Sequence, residues 1–286
     1  MAFKRWRFLL VVTAAGFSGT GLIPAANAEI RAMSANSPKP EPRGEKPFLP
    51  PGSATSPAAP TLGVIGDSVA RGYAYYLARE LGPRGVRVVD AAIYGCPATA
   101  VPFIVPVRGR EEVSRCPDAE RARQTALVRD FHPRVVLWHS ILERFDLIRG
   151  NVRTTAGTPD WERQIMAGWD DILTRVTREG ARVLLVLPLW YEHQPPEPPA
   201  RGAGVERLRN MYQRWAAGHR DQVTVVDVAP LVCPSGPPCG LVGGIDFRPD
   251  QVHFDDPGGT RVAAYLRTHV PALAALVRAG RRPAGA

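Results

Sequence analysis

The sequence predicts an α/β fold, and three observations carry that prediction. Five short apolar runs recur along the chain: Thr61 to Gly66, Val86 to Asp90, Arg134 to His139, Arg182 to Leu187 and Val223 to Asp227. None shows the strict polar alternation of a half-solvated strand, as expected of strands covered on both faces. Between them lie helical stretches with apolar residues at three- and four-residue spacing. Strand and helix therefore alternate throughout, which gives a parallel sheet with helices on both sides: a three-layer α/β/α sandwich around a five-stranded sheet. In a flavodoxin-like strand order, the ligand crevice lies outside the carboxyl ends of the first and third strands, where the winding reverses.

The elements follow in order. Lys4, Arg5 and Arg7 precede the apolar stretch Phe8 to Phe17, and Ala26-Asn27-Ala28 has the small-x-small pattern of a signal-peptidase site, so residues 1–28 read as a signal peptide. The alternative is an uncleaved anchor. Residues 29–60, rich in Pro, Ser and Ala, read as a disordered linker, and the folded domain is expected over 61–279 with a flexible tail at 280–286. The first strand stops at Gly66-Asp67-Ser68, and Val69 to Leu81 reads as an amphipathic helix. After the second strand, Pro97 to Cys116 lacks a clear period and reads as a long loop. Asp118 to Phe131 is a helix with an acidic first turn, ended by Pro133. A Gly/Thr-rich turn follows the third strand, and a long helix runs from Asp160 to Glu179. A proline-rich loop over Pro188 to Pro199 leads to the helix Val205 to Ala217, and one C-terminal helix is expected from Pro257 to about Val277.

Charge and cysteines narrow the setting. The chain carries +9, or near +6 once Lys4, Arg5 and Arg7 are removed with the leader. The arginines are dispersed, with no basic stripe interleaved with aromatics, so nucleic acid is not expected as a partner. No segment after the leader is long and apolar enough to span a membrane. Four cysteines in an exported chain allow three disulfide connectivities, of which the local one, Cys96–Cys116 with Cys233–Cys239, is simplest. Neither pair has the CxxC spacing of a zinc site, and no GxGxxG or Walker pattern accompanies the sheet, so no metal or organic cofactor is expected.

Ser68 stands at a strand-to-helix junction, where a hydroxyl is held in the open near unpaired backbone N–H groups. One reading makes Asp67 or Ser68 a helix cap; the other makes Ser68 a nucleophile, which requires a base. Of the six histidines, His253 has a carboxylate placed to orient it, in Asp250-Gln-Val-His253 ahead of the last helix. One turn brings the Asp oxygen to the imidazole and leaves the other ring nitrogen facing outward. The bland reading makes Asp255 or Asp256 a cap and His253 an ordinary polar residue.

GDS after the first strand, a Gly in the loop after the second and D-x-x-H before the last helix together resemble the SGNH (GDSL-type) hydrolase family over roughly Thr61 to Val277. The resemblance implies the SGNH hydrolase fold, Ser68 as nucleophile with His253 and Asp250 completing a triad, and an oxyanion hole built on the Ser68 and Gly95 amides. The family's third block, G-x-N-D, is absent: this chain reads Trp138-His-Ser-Ile-Leu-Glu-Arg. His139, Ser140 and Arg144 are the substrate-facing candidates there. The altered block, the flanking cysteines and the Asp-Phe-Arg-Pro-Asp-x-Val-His-Phe segment are similar to the SGNH domains fused behind acyltransferase-3 type membrane O-acyltransferases.

The implied function is an exported serine esterase acting on acyl esters, acetyl foremost, of small esters or envelope glycans, as a secreted or cell-envelope monomer. O-acyl transfer by the same triad and a catalytically weakened glycan-binding domain are the alternatives. Trp190, Tyr191 and His193 after the fourth strand either stack on sugar or pack the Pro-rich loop.

Overall fold

A computed structural model describes residues 46–107, 110–114, 116–190, 204–237 and 239–281. The expected signal peptide at 1–28, the linker as far as residue 45, Tyr191, His193 and the tail beyond Arg281 lie outside the described residues.

The main sheet has five parallel strands: β1 (Thr61–Gly66), β2 (Arg87–Asp90), β5 (Val135–His139), β8 (Arg182–Val186) and β9 (Val223–Val226). They stand in the order β2-β1-β5-β8-β9, the flavodoxin-like order, all parallel. β1 is central and buried at every residue, as its uninterrupted apolar composition requires. Successive side chains of a strand point to opposite faces. Leu62 and Val64 accordingly join the core under helices α1 (Ser68–Leu81), α6 (Asp256–His269) and α7 (Pro271–Gly280). Ile65, with Val136 and Trp138 of β5, joins the core under α2 (Pro117–Phe131), α3 (Pro159–Thr177) and α4 (Val205–Ala217). In that second core the rings of Trp169 and Tyr212 stack at 4.2 Å between centroids, with Trp138 and Trp215 set edge-on to Trp169. Aromatics buried at this depth are the largest single contributors to such a core.

Three expectations need correction. The stretch from Pro97 to Cys116 is not simply a loop: it carries β3 (Phe103–Val107) and β4 (Arg110–Val113), and the Gly/Thr-rich turn carries β6 (Asp146–Arg149) and β7 (Val152–Thr154). These four form a second, antiparallel sheet in the order β4-β3-β6-β7. Buried Phe103 and Leu147 pair across β3 and β6 and anchor it to the second core. The C-terminal helix is two helices, because Pro271 has no N–H to continue α6 and Val270 turns extended before it. The expected linker is ordered over its described part, residues 46–60. Phe48 exchanges backbone hydrogen bonds with Asp90, and the Ser53 hydroxyl bonds both the N–H and the carbonyl of Val88. That segment covers the otherwise open edge of β2.

Both expected disulfides, Cys96–Cys116 and Cys233–Cys239, are formed. Among the described residues no helix is long and apolar enough to cross a membrane, and no cluster of His, Cys, Asp or Glu is placed to hold a metal ion.

Candidate active site

The site begins where β1 ends. Gly66 has φ +130°, and a Cβ there would meet the His139 carbonyl oxygen at 1.7 Å, so no other residue fits this turn. Asp67 follows, 1% exposed. Its Oδ1 accepts hydrogen bonds from the amides of Val69 (3.0 Å) and Ala70 (3.5 Å), and its Oδ2 accepts from the Ile141 amide (2.8 Å). Asp67 is thus the cap of α1 and also a tie to the turn after β5. The cap being Asp67, the Ser68 hydroxyl is released for another partner.

That partner is His253. Its Nε2 lies 2.8 Å from Ser68 Oγ, which donates to it, and its Nδ1–H donates to Asp250 Oδ2 at 2.7 Å. Asp250 builds the turn that makes this possible. Its Oδ1 accepts from the amides of Val252 (2.9 Å) and His253 (2.6 Å), while Gln251 takes a left-handed φ of +68° and donates to the Arg248 carbonyl. Partial burial pushes the Asp250 carboxyl upward, but the hydrogen bonds from the His253 side chain and from the His253 and Val252 amides outweigh it and hold it below the usual carboxylate range. The cap of α6 is Asp255, which accepts from the Gly258 amide, so capping and the His253 arrangement are separate tasks. A hydroxyl bonded to an imidazole whose other nitrogen is fixed by a carboxylate is the arrangement that activates serine for acyl chemistry.

Gly95 lies in the loop after β2, with φ +69° and no atom within 4 Å of where a Cβ would stand. The loop is anchored on one side by the Ile93 amide donating to the Gly66 carbonyl (2.8 Å) and on the other by the Cys96–Cys116 disulfide. Tyr94, 48% exposed, sets its ring nearly parallel to that of His253, at 6.2 Å between centroids.

Beside the hydroxyl is a depression lined by Val69, His139, Ile141, Leu189, Arg248 and Val252. Of the three residues expected to face substrate, only His139 reaches it. Ser140 is fully buried and accepts from the Ala98 amide, and Arg144 is buried with its guanidinium 4.8 Å from the Phe145 ring; neither lines the depression. His139 is itself 2% exposed, and its Nδ1–H donates to the Val186 carbonyl at 3.2 Å. Burial lowers its pKa, favouring the neutral ring, whose Nε2 is then an acceptor and not a donor. After β5, the apolar Ile141 also lines the depression. Sequence reasoning missed both Ile141 and Arg248, although Arg248 stands two residues before Asp250 in the same motif.

The remaining candidates have other partners. Trp190 donates to Glu206 and lies 4.3 Å beneath the Arg209 guanidinium, so it packs against α4. His132 bonds Glu179, His219 faces Asp170, and His269 stacks on Tyr265. Asp90 and Asp227 accept from the amides of Ala92 and Ala229 and tie down the turns after their strands.

Residues 33–264 match the model of one family, described as "SGNH domain (fused to AT3 domains)". No curated protein sequence matches the chain. Similar solved structures include the periplasmic domain of a lipopolysaccharide acetyltransferase from Salmonella ser. Paratyphi A (14% identity, 76% of this chain and 85% of that one, TM-score 0.49). A second is described as a putative acylhydrolase, from Bacteroides fragilis (14% identity, 90% and 100%, TM-score 0.49). A third is a mutant of an acetyl-xylooligosaccharide esterase from Geobacillus Stearmophilus (16% identity, 74% and 95%, TM-score 0.46).

Proposed function

The chain belongs to the SGNH-domain family described as fused to AT3 domains, and from that premise we propose that it is a serine esterase whose triad is Ser68, His253 and Asp250. The observation that carries the reading is the unbroken hydrogen-bond relay from Asp250 Oδ2 through both nitrogens of His253 to Ser68 Oγ, at 2.7 and 2.8 Å.

In the reaction, Ser68 Oγ attacks an ester carbonyl as its proton passes to His253 Nε2. Asp250 holds Nδ1–H and stabilises the imidazolium. The amides of Ser68 and Gly95 receive the oxyanion. The ester C–O bond breaks, the alcohol leaves with the proton from His253, and an acyl group remains on Ser68. Water, deprotonated by the same imidazole, then releases the acid.

The substrates of this reading are acyl esters, acetyl foremost, of envelope carbohydrates, and the protein works as an exported monomer outside the cytoplasm. The two disulfides support that compartment, since such bonds persist where thiols are not kept reduced. Acyl transfer is the second reading, favoured by the family's fusion to AT3 domains. It uses the same acyl-enzyme, with a sugar hydroxyl replacing water in the second step.

Labelling with a fluorophosphonate probe tests the nucleophile. The expected result is stoichiometric labelling of the wild type at Ser68, with none of S68A. A wild type left unlabelled, beside a serine esterase that labels, overturns the reading. Release of acetate from p-nitrophenyl acetate, compared with acetylation of an added glycan, separates hydrolysis from transfer.

A further inference from the structure

Behind the Gly95 loop lies a buried polar cluster that the reaction above does not use. Thr99, Glu120, Gln124, Ser140 and Glu143 are all fully buried. The Ala98 amide donates to Ser140 Oγ (3.4 Å), the Thr99 amide donates to Glu143 Oε1 (3.3 Å), and the Ala98 carbonyl accepts from Gln124 Nε2 (2.8 Å). Two consecutive peptide units, a few residues beyond Gly95, are therefore held by side chains from the β5 turn and from α2. The Tyr212 hydroxyl of α4 donates to the Ser140 carbonyl (3.4 Å), which ties the same turn to α4. The Glu143 carboxyl is the group of that turn that holds the Thr99 amide.

We infer that Glu143 is a positioning residue for the reaction proposed above: it clamps the Gly95–Thr99 loop so that the Gly95 amide is held toward the acyl carbonyl. The inference rests on the triad reading for its kinetic consequence, but not for its structural one. A carboxyl with no access to water favours its neutral form, which still accepts from Thr99. The ionisable groups facing it agree. Asp67 at the start of α1 and Glu120 on α2 are acids, Arg123 lies beside Glu120, and Tyr212 on α4 is a phenol whose own ionisation burial suppresses. Burial foremost, with the nearby Asp67 charge, raises Glu143 to about 7 against the pull of its hydrogen bonds, and Glu120 rises well above its usual range. Ionisation would place a further negative charge among acids.

E143A and E143Q, compared with the wild type, test this. E143A loses the clamp, and kcat is expected to fall about 10- to 100-fold, within the range of a misplaced oxyanion donor, with KM changed less than about threefold. E143Q keeps an acceptor for Thr99, so it recovers most of the loss. Wild-type kcat in E143A, or a loss in E143Q as large as that in E143A, overturns the inference. Hydrogen exchange of the 94–100 peptide reads the clamp without turnover. At one pH, exchange is expected to quicken in E143A but not in E143Q. If the wild type hydrolyses no ester yet exchange shows this pattern, the functional reading fails and the clamp stands. Unchanged exchange in E143A removes the clamp whatever the activity.

Discussion

His253 Nε2 and Ser68 Oγ lie 2.8 Å apart although 185 residues separate them in the chain. Two unrelated local devices produce this meeting. Gly66 allows β5 to close against the end of β1 and leaves Ser68 on the first turn of α1. Asp250 winds the chain into a tight turn through two amides and fixes the imidazole with its second oxygen.

Asp250 has two duties, and D250N separates them. Asparagine can still accept from the Val252 and His253 amides, so the turn survives. Its NH2 group facing Nδ1 would favour the wrong tautomer and strip the imidazolium of its counter-charge. The expected result is a folded protein whose kcat is lower by about a thousandfold or more, as in other triads. Steady-state ester hydrolysis and circular dichroism check the two halves.

Asp67 is the acceptor for three amides, in α1 and after β5, at 1% exposure. D67A removes a helix cap, worth about 1 kcal/mol, and strands the Ile141 amide, at about 1–3 kcal/mol. Chemical denaturation should therefore show a loss of about 2–4 kcal/mol. Activity should fall further than stability explains, because Ser68 and the β5 turn lose their common tie.

Ile141 lines the same depression as Val69, the residue that follows the nucleophile. I141N is expected to raise kcat, with the roughly 100-fold effect of a single oxyanion donor as the ceiling. An unchanged kcat in a stably folded I141N would mean that the side chain does not reach the developing oxyanion.

Thermal denaturation reports the ionisation of Glu143. Its folded pKa is raised from 4.5 to about 7, so the folded state holds a proton there that the unfolded state has released. The stabilisation is complete below pH 4.5 and is lost as pH rises through 7. E143Q lacks that loss. The melting temperature of the wild type should fall relative to E143Q across this interval and run parallel to it above.

How much of this was legible in the sequence depends on where each signal lies. The five parallel strands were legible because each is a continuous apolar run and the sheet buries both faces. The second sheet was not, because Pro102 and Pro106 interrupt the apolar pattern around β3, and β6 and β7 carry Asp146, Arg149 and Arg153 about a Gly150-Asn151 turn. Its anchoring residues, Phe103 and Leu147, are far apart in sequence and pair only in the fold. Phe48 and Ser53 looked like part of a tether because their partners are backbone groups of β2, which leave no compositional trace. Ser68, Asp250 and His253 were legible because each stands in a short motif whose local geometry is its chemistry. Ile141 and Glu143 were not, since what each does follows from neighbours that only the folded chain supplies.

The most direct measurement is ester hydrolysis by the wild type beside S68A, with both shown to be folded. Turnover of p-nitrophenyl acetate by the wild type, reduced to the solvent rate in S68A, is the result predicted by the relay from Asp250 through His253 to Ser68. Equal rates in the two proteins, or glycan binding unchanged by S68A with no turnover in either, would contradict it.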